Sequence, residues 1–323
     1  MKVLVTGGAG YIGSVVAARL LEAGNEVVVL DDLSTGHADA VPAGAGFVRG
    51  RVHDAAGLLG DALRSFDAAI HLAAKSLVAE SIRHPELYEE NNVVGSRLLF
   101  DALASAGVRI VVFSSTAAVY GEPDVVPIPE SAPCRPLNPY GASKLAIDEM
   151  LAAAAPERGF AAVSLRYFNV AGAYGPYGER HEPETHLIPL ALAAAGGQGE
   201  LQLFGDDYDT DDGTCVRDYV HVVDIADAHL GALERAVAGR HDVFNLGNGS
   251  GYSVREVLLR VEAVTGTTLP VRVVPRRPGD PAVLVASAAL AAERLSWVPR
   301  RPDLGVIVAD AWAFARRRGV GAA

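Results

Sequence analysis

Lys2-Val3-Leu4-Val5-Thr6-Gly7-Gly8-Ala9-Gly10-Tyr11-Ile12-Gly13 runs a short apolar strand directly into glycines at positions 7, 10 and 13, followed by a helical pattern from Ile12 to Ala23. A strand, a tight glycine turn and a helix in this order build an anion site: Gly7 permits the turn, Gly10 lets backbone approach a pyrophosphate, and Gly13 lets helix and strand pack closely. The pyrophosphate then faces the amides and the positive dipole end of the helix. A second apolar strand, Glu26 to Leu30, ends on Asp31-Asp32. At that spacing Asp31 accepts hydrogen bonds from the adenosine ribose and repels a 2′-phosphate, which favours NAD over NADP. The alternative for Asp31 is a solvated carboxylate at a strand end. Further strands are expected at Ala68 to His71 and Ile110 to Ser114, with helices around Asn92 to Ser105 and from Tyr140 to Ala155. This alternation predicts an α/β fold, a doubly wound parallel sheet with right-handed crossovers. From about Gly172 the chain is richer in Pro, Gly and Asp, which suits a smaller α/β substrate-binding part.

The 323 residues exceed the length at which one core stops growing, so one large or two joined domains are expected. Half the residues are hydrophobic and 21% are charged, the composition of a globular chain. The net charge of −11 argues against nucleic-acid binding, which needs dense Lys and Arg. No apolar run reaches membrane-spanning length and the N-terminus lacks a signal-peptide core, so a cytoplasmic protein is expected. Cys134 and Cys215 stand in no metal-ligand spacing.

Asn138-Pro139-Tyr140-Gly141-Ala142-Ser143-Lys144 offers an N-cap, a proline at the first helical position, and Tyr140 and Lys144 on one helical face. Bringing a tyrosine from pKa 10 to about 7 requires roughly 4 kcal/mol. A positive charge about 6 Å away provides roughly 3 kcal/mol at an effective dielectric near 20, so Lys144 can make Tyr140 a base. The upstream strand ends on Phe113-Ser114-Ser115-Thr116, whose Thr116 hydroxyl can reach the same substrate oxygen. Glycine loop, strand-end hydroxyl and Tyr-x-x-x-Lys together resemble the short-chain dehydrogenase/reductase superfamily, which implies a Rossmann domain.

Read in order, the segments His71-Leu72-Ala73-Ala74, Glu80-Ser81, Asn91-Asn92-Val93, Ser114 to Gly121, Leu165-Arg166-Tyr167-Phe168-Asn169, Phe204-Gly205, Val216 to Val222, Phe244-Asn245-Leu246-Gly247 and Arg276-Arg277-Pro278-Gly279-Asp280 resemble the UDP-glucose 4-epimerases over essentially the whole chain. The resemblance implies that Tyr140, Lys144 and Thr116 are catalytic. It places Gly7, Gly10, Tyr11, Ile12, Gly13, Asp31, Asp32, Leu72, Ala73, Ala74, Asn92, Ser114 and Tyr167, with Tyr140 and Lys144, around NAD. Asn169, His186, Leu187, Gln202, Phe204, Arg217, Tyr219, Arg277, Asp280 and Leu284, with Thr116, would hold the nucleotide sugar. Those residue types have the chemistry this requires, since arginines neutralise a diphosphate, Phe204 packs on uracil, and Asp280 accepts from ribose hydroxyls. Residues 1–168 with about 217–247 would form the NAD-binding domain, and about 169–216 with 248–323 the nucleotide-sugar domain. A homodimer through the helices at Asn92 to Ser105 and Tyr140 to Ala155 is also implied.

Three positions depart from the family pattern. Arg51 stands where an adenine-contacting aspartate is usual, Ser76 where some members carry a lysine beside Lys75, and Thr116 in place of serine. Related dehydratases carry acidic residues just after the strand-end hydroxyl, whereas here those positions are Ala117 and Ala118, which cannot exchange protons. A dehydrogenase releasing NADH and a non-catalytic NAD-binding protein remain as alternatives. No metal is expected: Asp207 to Gly213 lacks the glycine position and closing glutamate of a calcium loop. His181-Glu182-Pro183-Glu184-Thr185-His186 has the wrong spacing for a zinc helix.

Overall fold

The computed structural model describes residues 1–277 and 279–321; Pro278 of the Arg276-to-Asp280 segment and residues 322 and 323 lie outside the described residues. Seven strands, β1 (Lys2–Thr6), β2 (Glu26–Asp31), β3 (Gly46–Arg49), β4 (Ala68–His71), β5 (Ile110–Thr116), β6 (Ala161–Tyr167) and β7 (His241–Leu246), form one sheet in the order β7-β6-β5-β4-β1-β2-β3. Every neighbouring pair is parallel. The helices that matter here are α1 (Tyr11–Glu22), α2 (Gly95–Ala106), α3 (Pro139–Arg158), α4 (Leu187–Ala195), α5 (Val222–Arg235), α6 (Val254–Thr265) and α7 (Leu304–Arg317).

The two-residue period of a strand assigns each side chain to a face. Val3 and Val5 of β1, Ala68 and Ile70 of β4 and Val112 of β5 belong to the core beneath α1 and α5. Leu4, Ala69, Val111 and Phe113 belong to the core beneath α2 and α3. Strands buried on both faces read as the near-continuous apolar runs seen in the sequence. Three strands are not among those expected. Gly46–Arg49 is a half-exposed edge, and Ala161–Tyr167 and His241–Leu246 lie beyond the simple alternation. β5 also runs two residues past Ser114, pairing Thr116 with Tyr167, which carries the Thr116 hydroxyl to the carboxyl edge of the sheet.

Beyond β6 the chain leaves the sheet and builds small pairings. Asn169–Ala171 pairs with Tyr219–His221, and Leu201–Phe204 pairs with Val271–Val274. Val216–Arg217 lies between Tyr252–Ser253 and Val283–Leu284. α4, α6 and α7 close over these through a core of Leu192, Val257, Val261, Ile307 and Val308.

At the centre of the sheet, Gly7 sits at φ +73°, and a Cβ placed on it would lie 2.5 Å from the Ala73 nitrogen. A Cβ on Gly13 would lie 2.1 Å from the Gly7 carbonyl oxygen, a backbone atom that cannot swing aside. A Gly13→Ala substitution is therefore expected to destabilise the protein by about 1–3 kcal/mol, the usual range for overpacking, and to reduce the NAD retained through purification. Denaturant melts and assay of the cofactor released on unfolding check this; wild-type values for both would show that the turn has room to spare.

Candidate active site

A cavity of about 880 Å³ opens over the carboxyl ends of the strands, where β1 lies between strands that continue in opposite directions. That is the topological switch point at which open α/β sheets bind ligands. One end of the cavity is lined by Gly7, Gly10, Tyr11, Ile12, Gly13, Asp31, Asp32, Leu72, Ala73 and Ala74. Gly10 caps α1 with extended backbone and no side-chain hydrogen bond, which leaves the first helical amides to an anion. The only close neighbour of a Cβ on Gly10 would be the Gly7 oxygen at 3.3 Å, so the ligand side of the turn is open. Asp31 is buried and orders this rim: one carboxylate oxygen accepts from the Ala9 amide at 3.0 Å, the other from the Leu33 amide at 2.9 Å. Burial pushes its pKa up while these amides oppose the shift. Glycine turn, bare helix start and buried carboxylate fit a dinucleotide pyrophosphate and its ribose.

Asn92 alone among the expected cofactor residues is not on the cavity wall. It is fully buried behind it in an irregular helical turn, Glu89–Val94, ahead of α2. Its side chain accepts from the Lys75 amide at 2.8 Å and donates to the Lys75 carbonyl at 3.0 Å and to the Ser143 hydroxyl at 3.1 Å. Asn92 thus ties the 75–76 segment to α3, and the neighbouring Asn91 lines the cavity instead. Lys75, Ser76 and Arg51 line it too.

The middle of the cavity holds Ser114, Thr116, Tyr140, Lys144 and Tyr167. α3 begins as its sequence dictates, with the Asn138 side chain accepting from the Gly141 amide at 2.8 Å and Pro139 in the first turn. Lys144 donates to the Ser114 carbonyl at 2.7 Å and lies 6.0 Å from the centre of the Tyr140 ring. Burial dominates both groups. Tyr140 is raised above its ordinary value by desolvation, opposed by a hydrogen bond from Thr116, while burial lowers Lys144 to about 7 against the opposing charge of Asp148. Burial thus works against the ammonium charge that would favour a Tyr140 phenolate, and Asp148 works for it.

The far end gathers residues from distant segments: Asn169, His186, Leu187, Gln202, Phe204, Arg217, Tyr219, Arg277, Asp280 and Leu284. Arg277 stacks on Phe204 with its guanidinium carbon 3.9 Å from the ring centre. Arg217 donates to the Val216 carbonyl at 2.7 Å and pairs with Asp280, which holds both charges at the mouth. Leu284 stands beside Arg217 in the register of their strands. In the Asp207-to-Gly213 loop, Asp212 accepts from the Thr214 amide and hydroxyl at 2.8 and 2.7 Å and from Ser253, so this carboxylate is occupied in holding the turn.

A sequence profile of the NAD dependent epimerase/dehydratase family matches residues 3–247. The chain is 57% identical over 321 residues to a UDP-glucose 4-epimerase of Streptomyces lividans, covering 97% of this chain and 95% of that protein. It is 53% identical over 322 residues to the UDP-glucose 4-epimerase of Corynebacterium glutamicum, covering 99% and 97% respectively. The chain belongs to the NAD dependent epimerase/dehydratase family. Its fold superposes on the UDP-glucose 4-epimerase from Brucella ovis in complex with NAD with a TM-score of 0.92, at 44% identity over 97% of this chain and 98% of that one.

The cofactor of this NAD-dependent family suits the glycine-loop end of the cavity. The structure also brings to the wall Glu179, which the sequence does not mark, and two residues of the segment whose spacing fails the zinc helix. Glu179, His181 and Glu184 line the cavity beside His186, carried there by a loop and not by a helix. Their spacing fails the helical zinc pattern, but a loop can converge ligands that no helix would.

The depressed Lys144 pKa has a sign that can be checked. Between about 7 and the ordinary lysine value of 10.5 the unfolded chain binds this proton and the folded one does not, so stability contributed by the group rises with pH across that window. In Lys144→Met this contribution vanishes. Denaturant midpoints of cofactor-free protein are expected to rise less steeply from pH 7 to 10 in the variant than in the wild type. Equal slopes would mean that Lys144 keeps its charge in the fold.

Proposed function

We propose that the protein is a UDP-glucose 4-epimerase that interconverts UDP-galactose and UDP-glucose through a transient 4-keto sugar. The observation that carries this reading is one continuous cavity. It joins the glycine loop to Thr116, Tyr140 and Lys144, and these to Arg217, Arg277 and Asp280. Its wall beside Thr116 is Ala117 and Ala118, where elimination or decarboxylation would require an acid or base. The near-full-length relatives named above support it.

On this reading NAD held between the glycine loop and Asp31 would supply reversible hydride exchange at the sugar C4, with no net redox change over a turnover. Tyr140 removes the proton of the 4-hydroxyl and gives it back, and Thr116 hydrogen-bonds the same oxygen. Lys144 favours the phenolate. Arg217 and Arg277 hold the diphosphate and Phe204 packs on the uracil, so the sugar is held mainly through its nucleotide and can present either face. Asp280 accepts from the uridine ribose, with Asn169, His186, Leu187, Gln202 and Tyr219 around the nucleotide. Residues 1–168 with about 217–247 then serve NAD, and about 169–216 with 248–323 serve the nucleotide sugar.

The same reading makes the protein a cytoplasmic homodimer. Val78, Ile82, Leu87 and Leu98 leave 42%, 63%, 39% and 43% of their surface exposed in the segment that leads into and includes α2, apolar area that a second copy would cover. Among the described residues no helix is long and apolar enough to cross a membrane.

Purified protein given UDP-galactose is expected to form UDP-glucose without accumulating free NADH. Tyr140→Phe is expected to lose turnover by at least about 100-fold, as for removal of a general base, while UDP binding measured by calorimetry stays near wild type. Stoichiometric NADH release would make the protein a dehydrogenase, and near-normal turnover in Tyr140→Phe would move the base elsewhere.

The half-buried Leu284 favours a broader substrate range. It lies on the cavity wall four residues after Asp280, packed against the cluster of Val119, Tyr120 and Ile128. In the epimerases that the sequence resembles this position limits room at the sugar 2-substituent, and leucine is smaller than tyrosine. UDP-N-acetylglucosamine and UDP-N-acetylgalactosamine are therefore expected to interconvert as well, and Leu284→Tyr should lower that activity by about tenfold or more relative to the unsubstituted pair, since steric exclusion outweighs an apolar contact. Equal loss of both activities in a two-substrate assay would remove Leu284 from this role.

A further inference from the structure

We propose that Glu179, His181, Glu184 and His186 form a binding site for one divalent metal ion of the zinc class. The four residues come from the loop that joins the Ala173–Gly178 hairpin to α4, and one ligand atom from each lies within 4.8 Å of all the others. Zinc bonds of about 2.0–2.1 Å in a tetrahedral arrangement place ligand atoms roughly 3.3 Å apart, so the cluster needs only a small contraction to enclose an ion.

The hydrogen bonds inside the cluster satisfy one imidazole and leave the other without a partner: His186 Nδ1 bonds Glu179 Oε1, and His181 Nδ1 does not. Nδ1 of His181 and Nδ1 of His186 both approach the same oxygen, Oε1 of Glu179. His181 Nδ1 lies 2.9 Å from that oxygen yet is buried without a hydrogen-bond partner, because the nitrogen is close but off line. A buried nitrogen in that position loses free energy unless something else satisfies it. A cation held by both imidazoles and the carboxylate does so.

Glu179 is 7% exposed, and Glu184 is held in place by two backbone amides, those of Thr185 at 2.7 Å and His186 at 2.9 Å, the kind of outer support that metal ligands receive. The cluster has two carboxylates and no arginine or lysine among its members. Arg180, within the same loop, instead pairs with Asp39 at 2.8 and 3.0 Å. Two imidazoles with two carboxylates suit zinc or a neighbouring borderline metal better than magnesium or calcium, which favour all-oxygen sets.

The site lies on the cavity wall at the start of α4, with His186 as the N-cap of that helix. A bound cation would offset the two negative charges of Glu179 and Glu184 on this part of the wall, and would pin the loop that leads into α4. The cluster shares His186 with the residues placed around the nucleotide, so metal binding is tested on His181 and Glu184, which the epimerase reading does not use.

Full-length protein stripped with chelator, dialysed against Zn2+ and desalted is expected to keep one zinc per chain by elemental analysis. The Co2+-loaded protein should show the ligand-field bands of a low-symmetry, four- or five-coordinate site. His181→Ala and, separately, Glu184→Gln should each weaken zinc binding by at least about tenfold in competition titrations, with circular dichroism and NAD content unchanged. A folding defect in one variant leaves the other informative. No retained zinc, or zinc bound equally by both folded variants and therefore held elsewhere, overturns the proposal.

Discussion

The closeness of three backbone segments at the head of the sheet governs the rest of the molecule. The end of β1, the start of α1 and the Leu72-Ala73 turn after β4 meet with no space for a single added carbon at Gly7 or Gly13. That contact sets where α1 begins, and so where its bare amides point. It also aligns the β1–β4 boundary under them, which fixes the floor of the cavity. Move the turn outward by the width of a methyl group and the helix start, Asp31 with its two amide bonds, and the wall at 72–74 all shift together.

A second kind of constraint joins the excursion after β6 to the sheet. Asp218, fully buried, accepts the amides of Asn248 at 2.7 Å, Gly249 at 3.0 Å and Ala286 at 3.1 Å, and so ties two segments distant in sequence to the corner beside Arg217. Burial raises its pKa to about 6, and the three amides oppose that rise. Asp224 plays a similar part at the head of α5, where it accepts from the Arg300 and Arg301 amides at 3.0 and 2.9 Å. Buried carboxylates satisfied by backbone donors thus do what a linker could not. They hold loops rich in Gly and Pro in register with a rigid scaffold.

The first half of the fold is legible in the sequence because its signals are local. A strand entering Gly7 to Gly13, a second ending at Asp31, and an Asn-Pro start to the helix bearing Tyr140 and Lys144 each declare themselves within a dozen residues. β6 and β7 do not stand out as strands because nothing beside them marks their partners; their pairing is set by tertiary contact. Asn92 belongs to a motif expected against the cofactor, yet it faces Lys75 and Ser143, since a motif gives the neighbourhood of a residue but not the direction of its side chain. The charge state of Lys144 is equally out of reach of sequence, because desolvation depends on what packs over the ammonium. The Glu179-to-His186 cluster fails on helical spacing and emerges only when the loop is seen to fold back on itself.

The position of β7 has a consequence for how the chain reaches this state. Its residues pair with β6 across an interval in which the chain builds most of the second half of the cavity, as in the register of Ala162 with His241. As the polypeptide emerges from synthesis, β6 is therefore an open edge of a hydrophobic sheet until residues 241–246 arrive. Long-range parallel pairing of this kind is slow to form. The interval between those two strands is the period in which the nascent chain is most exposed to mispairing with its neighbours, and where a chaperone would have the most to protect.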